Sequence, residues 1–139
     1  MKKNLIILFG LVIISLISFT SCEPFIENKI TIKNEAQGAV WVNLKANLHQ
    51  IAPGEVLVLN DFDRGEYEFE TIYEVPFAVT NSSTEGEVAG TMNLIGGTEI
   101  FLIYTSVVTV SGSNSTYTLY GSMTSSDDIN RPDPFGEGE

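Results

Sequence analysis

The chain reads as all-β: a single antiparallel β-sandwich of about eight or nine short strands, placed after an N-terminal apolar segment. Three observations carry that reading. Apolar and polar residues alternate with period 2 through most of the chain after residue 28, the spacing that gives a strand one core face and one water face. No comparable stretch there has the spacing of an amphipathic helix. Clusters of Gly, Pro, Asn, Asp and Ser recur between the alternating stretches, so the strands are joined by turns and not by crossover helices.

Residues 29–33, Lys-Ile-Thr-Ile-Lys, alternate cleanly and predict the first strand, and 34–38 turn the chain. Residues 39–44 set Val40, Val42 and Leu44 on one face with Trp41 and Asn43 on the other. A short strand is expected at 48–52, ended by the turn signal Pro53-Gly54. Residues 56–59 are apolar on both faces and are therefore expected to be buried. A turn at 60–65 leads to a strand at 66–74, where Glu66, Glu68 and Glu70 alternate with Tyr67, Phe69 and Thr71. Further strands are expected at 76–80, 87–94, 99–110 and 116–124, with turns at 81–86, 95–98 and 111–115. The sandwich domain then occupies 29–126. Residues 127–139 hold two prolines, two glycines and five acids, the composition of a disordered acidic tail.

The opening segment has a different logic. Lys2 and Lys3 give a positive start, and 12 of the 15 residues from 5 to 19 are apolar. As a helix those 15 residues would span roughly 22 Å, short of the roughly 30 Å hydrocarbon core of a bilayer. A positive start, a short apolar stretch and small residues after it read as a secretory signal and not as a permanent span. The stretch ends Phe19-Thr20-Ser21-Cys22, which resembles the lipobox of bacterial, Bacteroidetes-like lipoproteins: an apolar residue, two small residues and a Cys. The resemblance implies cleavage before Cys22, a diacylglycerol on its thiol and an acyl chain such as palmitate on its new amino group. Phe19 stands where the family most often has Leu. Residues 1–21 would then be the signal and 22–28 the lipidated Cys and its tether, holding the product at the cell envelope on the outer membrane. Each buried CH₂ contributes roughly 0.8 kcal/mol and one chain alone holds only marginally, so two or three chains make a stable anchor.

Composition excludes several function classes. The 139 residues carry seven Lys and Arg against 18 Asp and Glu, a net charge of −11, and losing residues 1–21 would take it to −13. So acidic a chain lacks the basic face that a nucleic acid requires. One Cys makes no internal disulfide, and one Cys with one His makes no zinc site by itself. His49 would have to be the base of any Ser-His-Asp arrangement. No Gly-x-Ser-x-Gly elbow, phosphate-cradling loop or His-Glu-x-x-His accompanies it, so no catalytic set is recognisable.

Asp61-Phe62-Asp63-Arg64-Gly65-Glu66 is the most metal-like segment, with alternate acids before a Gly as at the start of a Ca²⁺ loop. Asp61, Asp63 and Glu66 are its candidate ligands, although the EF-hand spacing fails at the fifth and twelfth positions. No other cofactor is implied. Glu66, Glu68 and Glu70 project from one strand face at roughly 6.5–7 Å intervals, as a solvated face does. Trp41, Tyr67 and Tyr73 form the candidate ligand platform, since planar rings stack on sugar faces; rings that fill the core are the other reading.

The stretch from Ile30 to Thr71 resembles small sandwich modules of the PEGA and carboxypeptidase-regulatory type, in its Ile-Thr-Ile-Lys-Asn strand, Pro53-Gly54-Glu55 turn and Arg64-Gly65-Glu66-Tyr67 strand start with Phe69. The resemblance implies an accessory, non-catalytic domain. Finally, no Lys or Arg occurs between Arg64 and Arg131, and 12 of the 22 residues from 105 to 126 are Ser or Thr. A neutral, hydroxyl-rich β surface suits docking to a protein partner through a sheet edge. The expectation is a membrane-anchored binding or structural lipoprotein with an envelope protein as partner. The alternative is a carbohydrate- or Ca²⁺-dependent adhesive module.

Overall fold

In a computed structural model that describes residues 27–129, alternation of burial organises nearly every strand. The elements are β1 (Asn28–Asn34), β2 (Val40–Leu44), β3 (Asn47–Ile51), β4 (Val56–Phe62), β5 (Gly65–Tyr73), β6 (Asn81–Gly86), β7 (Ala89–Leu94), β8 (Glu99–Ser111), β9 (Asn114–Ser125) and a last turn of helix, α1 (Ser126–Ile129). They form two sheets packed face to face, β4-β1-β8-β9-β6 and β3-β2-β5-β7. The fold is thus the all-β sandwich that the alternation predicts. Two pairings depart from a wholly antiparallel plan: β1 lies parallel to β8, and β6 parallel to β9.

The core lies between the sheets. Ile30 and Ile32 of β1, Ile100, Leu102 and Tyr104 of β8, and Tyr117 and Leu119 of β9 face Val40, Val42 and Leu44 of β2, Phe69 of β5, and Met92 and Leu94 of β7. β1 is apolar at its centre and carries a buried amide at each end. Asn34 Nδ2 donates to the carbonyls of Gly38 and Ile51 at 3.0 and 2.9 Å, and its Oδ1 accepts from Ala36 N–H at 2.9 Å. Asn28 Nδ2 donates to Phe62 O, and its Oδ1 accepts from Thr98 N–H, both at 2.9 Å. Each amide ties one end of β1 to backbone groups of the surrounding strands and loops, where the ladders end. Asn28 is therefore part of the core and not of a tether.

One run of chain completes both sheets. β6 pairs with the first half of β9, and the chain then crosses to pair with β5 as β7. The crossing is tight. A Cβ on Gly121 would overlap the Glu87 carbonyl, and one on Gly86, whose φ is +74°, would overlap the Gly121 carbonyl. Glu87 N–H donates to Gly121 O and Thr71 N–H to Val88 O, so the crossing bonds to both sheets.

Three expectations are corrected. Residues 56–59 are not buried on both faces: β4 is an edge strand whose outer face no described residue covers, and Val56 and Val58 are exposed. The strand expected at 76–80 is a turn, closed from Val79 N–H to Pro76 O with Ala78 at φ +75°. The turn expected at 81–86 is instead β6; all six of its residues are exposed, so no alternation marked it. In the segment expected as a tail, α1 covers 126–129, and Asp127 accepts a hydrogen bond from Thr98 Oγ1 at 2.7 Å. The rest of that segment lies outside the described residues.

Candidate functional site

The four-stranded sheet presents its outer face as an acidic depression. Period 2 sends Glu66, Glu68 and Glu70 of β5 outward, opposite Asn93, Thr91 and Ala89 of β7. The β2–β3 hairpin raises one wall, and the open depression of about 640 Å³ is lined by Asn43, Lys45, Ala46, the three glutamates and Thr91. That hairpin turns on two residues, Lys45 and Ala46, both with positive φ (53° and 58°), the signature of a type I′ turn made without Gly or Asn. The turn places Lys45 Nζ 4.7 Å from the ring centroids of both Phe62 and Tyr67, capping that end of the sandwich with a cation.

The candidate platform is not brought together. Trp41 stands on the outer face, half-buried, in register with Gln50 and Ile72. Tyr67 and Tyr73 have the opposite parity on β5 and turn inward. Tyr67 packs edge-on against Phe62 with centroids 5.3 Å apart, and its hydroxyl donates to Asp63 O at 3.0 Å. Tyr73 stacks on Tyr117 at 5.9 Å. A flat ligand therefore cannot meet all three rings.

The candidate Ca²⁺ ligands also fail to converge. Asp61 has φ +64° at a bulge where β4 carries an extra residue against β1. Asp63 is exposed in the following turn, and Glu66 belongs to the acidic face. Among the described residues no three His, Cys, Asp or Glu side chains are grouped as a metal ion would need. His49 sits half-buried on edge strand β3 opposite Val42. Among the described residues, no Ser or Asp side chain bonds to it. Cys22 lies outside the described residues.

Two buried phenols lie between the sheets. Burial raises the Tyr104 hydroxyl to about 12, against a smaller lowering by its hydrogen bond with the Thr71 hydroxyl. That bond crosses from the five-stranded to the four-stranded sheet. The Tyr117 hydroxyl is buried and has no hydrogen-bond partner among the described residues.

The five-stranded sheet has a contrasting outer face, neutral and hydroxyl-rich along β8 and β9 and apolar where β4 and the first half of β8 join it. Val58, Thr31, Phe101 and Thr124 form one cross-strand row, and Val56, Lys33, Ile103 and Ser122 the next. Phe101, Ile103, Val56, Val58 and Val107 are between 36% and 50% exposed. Lys29 and Lys33 are paired with Glu99 and Glu35 at 2.7 and 2.6 Å. From residue 100 to 126 the sequence carries no charge at all. The signal was the long Lys- and Arg-free, Ser/Thr-rich stretch, which alternates with β-branched apolar residues as an exposed, sticky face does. No family model, no curated protein and no solved structure matches this chain.

Proposed function

We propose that the protein is an envelope lipoprotein, held by lipid on Cys22, whose β-sandwich docks to a protein partner and performs no catalysis of its own. The observation that carries the docking part is the division of the surface. One outer face holds Glu66, Glu68 and Glu70; the other is apolar and hydroxyl-rich, and its lysines 29 and 33 are both paired with glutamates. A partner approaching the β4, β1 and β8 part of the second face displaces water from Val56, Val58, Phe101, Ile103 and Val107 beside lysines that are already paired, while the exposed Glu85 lies apart on edge strand β6. The anchor part rests on the lipobox resemblance ending at Cys22. Since β1 begins at Asn28, only a few residues separate that Cys from the sandwich.

Cell fractionation with fatty-acid labelling tests the anchor. Cys22→Ala moves the protein to the soluble fraction and abolishes labelling; membrane retention with undiminished label would sink the reading. Docking is tested separately by Phe101→Glu/Ile103→Glu in the anchored chain. This pair weakens in-membrane cross-linking to the partner at least tenfold while the unfolding free energy in urea stays within about 1 kcal/mol of the parent.

A further inference from the structure

We infer that the upper half of β8 is a free sheet edge that takes a second copy of this chain by antiparallel strand addition; this goes beyond the docking reading above, being a contact separate from the apolar face. β1 accompanies β8 only from Glu99 to Tyr104, whereas the β8–β9 ladder runs on to Ser111. Beyond Tyr104 the chain after β1 makes two contacts, Glu35 N–H to Tyr104 O and Gln37 N–H to Ser106 Oγ, and then turns into the other sheet. Among the described residues nothing bonds to the backbone of residues 107–111 on that side.

The parity of the edge follows from those contacts. Tyr104 O points away from β9, so the backbone groups of even-numbered residues up the strand do the same, and Val108 and Val110 present unpaired N–H and C=O groups outward. Edges are normally blunted by Lys, Pro, bulges or a covering loop. Here the segment Val107-Val108-Thr109-Val110-Ser111 has no charge and no proline, and Val110 is 70% exposed.

The edge fits its own copy. Antiparallel pairing centred on Thr109 sets Val108 against the partner's Val110 and the reverse, about four backbone hydrogen bonds, with Thr109 opposite Thr109 of the partner subunit. Residues 35–37 beside Tyr104 and Ser106 stop the pairing from sliding further down, which fixes the register. Charge permits this approach, because a chain of net charge −11 meets its copy here across a stretch without a single acid. Anchoring both copies in one membrane raises their effective concentration at this short contact.

Cross-linking in the full chain tests the pairing. Thr109→Cys places two thiols at a non-hydrogen-bonded pair with Cα atoms about 4.5 Å apart, inside the disulfide range. Copper-phenanthroline oxidation of membranes is expected to give a disulfide dimer from Thr109→Cys. Thr116→Cys, on the same face one strand away, is expected to give at least tenfold less. In the Thr109→Cys background, Val110→Pro removes an edge N–H and cuts the dimer at least tenfold. Because Val107 faces the partner's Ser111, Val107→Glu/Ser111→Glu also abolishes it, whereas Val107→Glu/Ser111→Lys restores it. Equal cross-linking from positions 109 and 116, no difference between the charge pairs, or a disulfide from the Thr109→Cys thiol to a different protein would overturn the inference. Repeating the series on Cys22→Ala separates the two readings: loss of the anchor moves the protein out of the membrane but leaves the order of the variants unchanged at matched dimer-forming concentration.

Discussion

Asn34→Ala should be among the most damaging single changes in the sandwich. The Asn34 side chain makes three hydrogen bonds, and every one of them is buried: to Gly38 O, to Ile51 O and from Ala36 N–H. Truncation leaves the Gly38 carbonyl and the Ala36 N–H without the Asn34 bond, at about 1–3 kcal/mol each where water cannot enter, and takes from Ile51 O the bond it has beyond its ladder pairing with Val40. Allowing some relaxation, the total is about 2–5 kcal/mol, against a stability of about 5–15 kcal/mol for a domain of this size. Asn28→Ala orphans only two groups and should cost about 2–4 kcal/mol. Asn34→Asp sharpens the test. It keeps the Oδ1 acceptor but turns an oxygen toward two carbonyls, so burial and the carbonyls raise the new carboxyl's pKa in the folded state. A folded pKa above the unfolded one makes stability fall as pH rises through the window between them, so acidification should recover part of the Asn34→Asp deficit. Urea denaturation followed by Trp41, the only tryptophan, measures all three variants. A cost below about 1 kcal/mol for Asn34→Ala, or a pH-independent deficit for Asn34→Asp, would refute the role of the amide.

Three further outcomes follow from particular geometries. Tyr104 titrates at about 12 folded against about 10 unfolded, so its contribution is complete below about pH 10 and is lost as pH rises from about 10 to about 12. The loss is about 2–3 kcal/mol in urea melts across that window, and Tyr104→Phe removes its slope. Ala46→Gly relieves a left-handed residue in the type I′ turn and should raise stability by about 1 kcal/mol; Lys45→Gly gains the same relief but forfeits the cation over Phe62 and Tyr67, for a net change near zero. Gly121→Ala forces a methyl into the Glu87 carbonyl at the sheet crossing and should cost about 3 kcal/mol or more, read as a fall in thermal midpoint.

Legibility in the sequence tracks one property, whether a strand has one covered and one open face. β1, β2, β5 and β8 have that contrast, and their alternation gives both their existence and their facing, including Trp41 outward and Tyr67 inward. β6 lacks it, because both of its faces are wet and its six residues are Asn, Ser, Ser, Thr, Glu and Gly. Such a strand forms because the β9 edge offers hydrogen bonds, which local composition does not record. The apolar run 56–59 misleads for the reverse reason. A strand can be apolar on both faces and still be an edge, when its outer side belongs to a face left open for something else. The buried amides of Asn28 and Asn34 were invisible because Asn reads as a turn residue until the neighbouring loops supply its partners.

The same reasoning bears on the candidate platform. Three aromatics on adjacent strands look like one surface only if parity is ignored, and Tyr73 and Tyr67 differ from Trp41 in facing, not merely in distance. Once Tyr67 and Tyr73 are assigned to the inner side, the outward chemistry of the sandwich reduces to two faces of opposite character joined through Gly86 and Gly121. The acidic face repels a second acidic chain, and the neutral one does not. An assembly in which copies meet through the neutral side would leave every Glu66, Glu68 and Glu70 row pointing away from the contact. Pairing through the bare β8 edge is a separate contact: it sets two copies side by side through a segment without charge and leaves the neutral outer face of each open to a further partner.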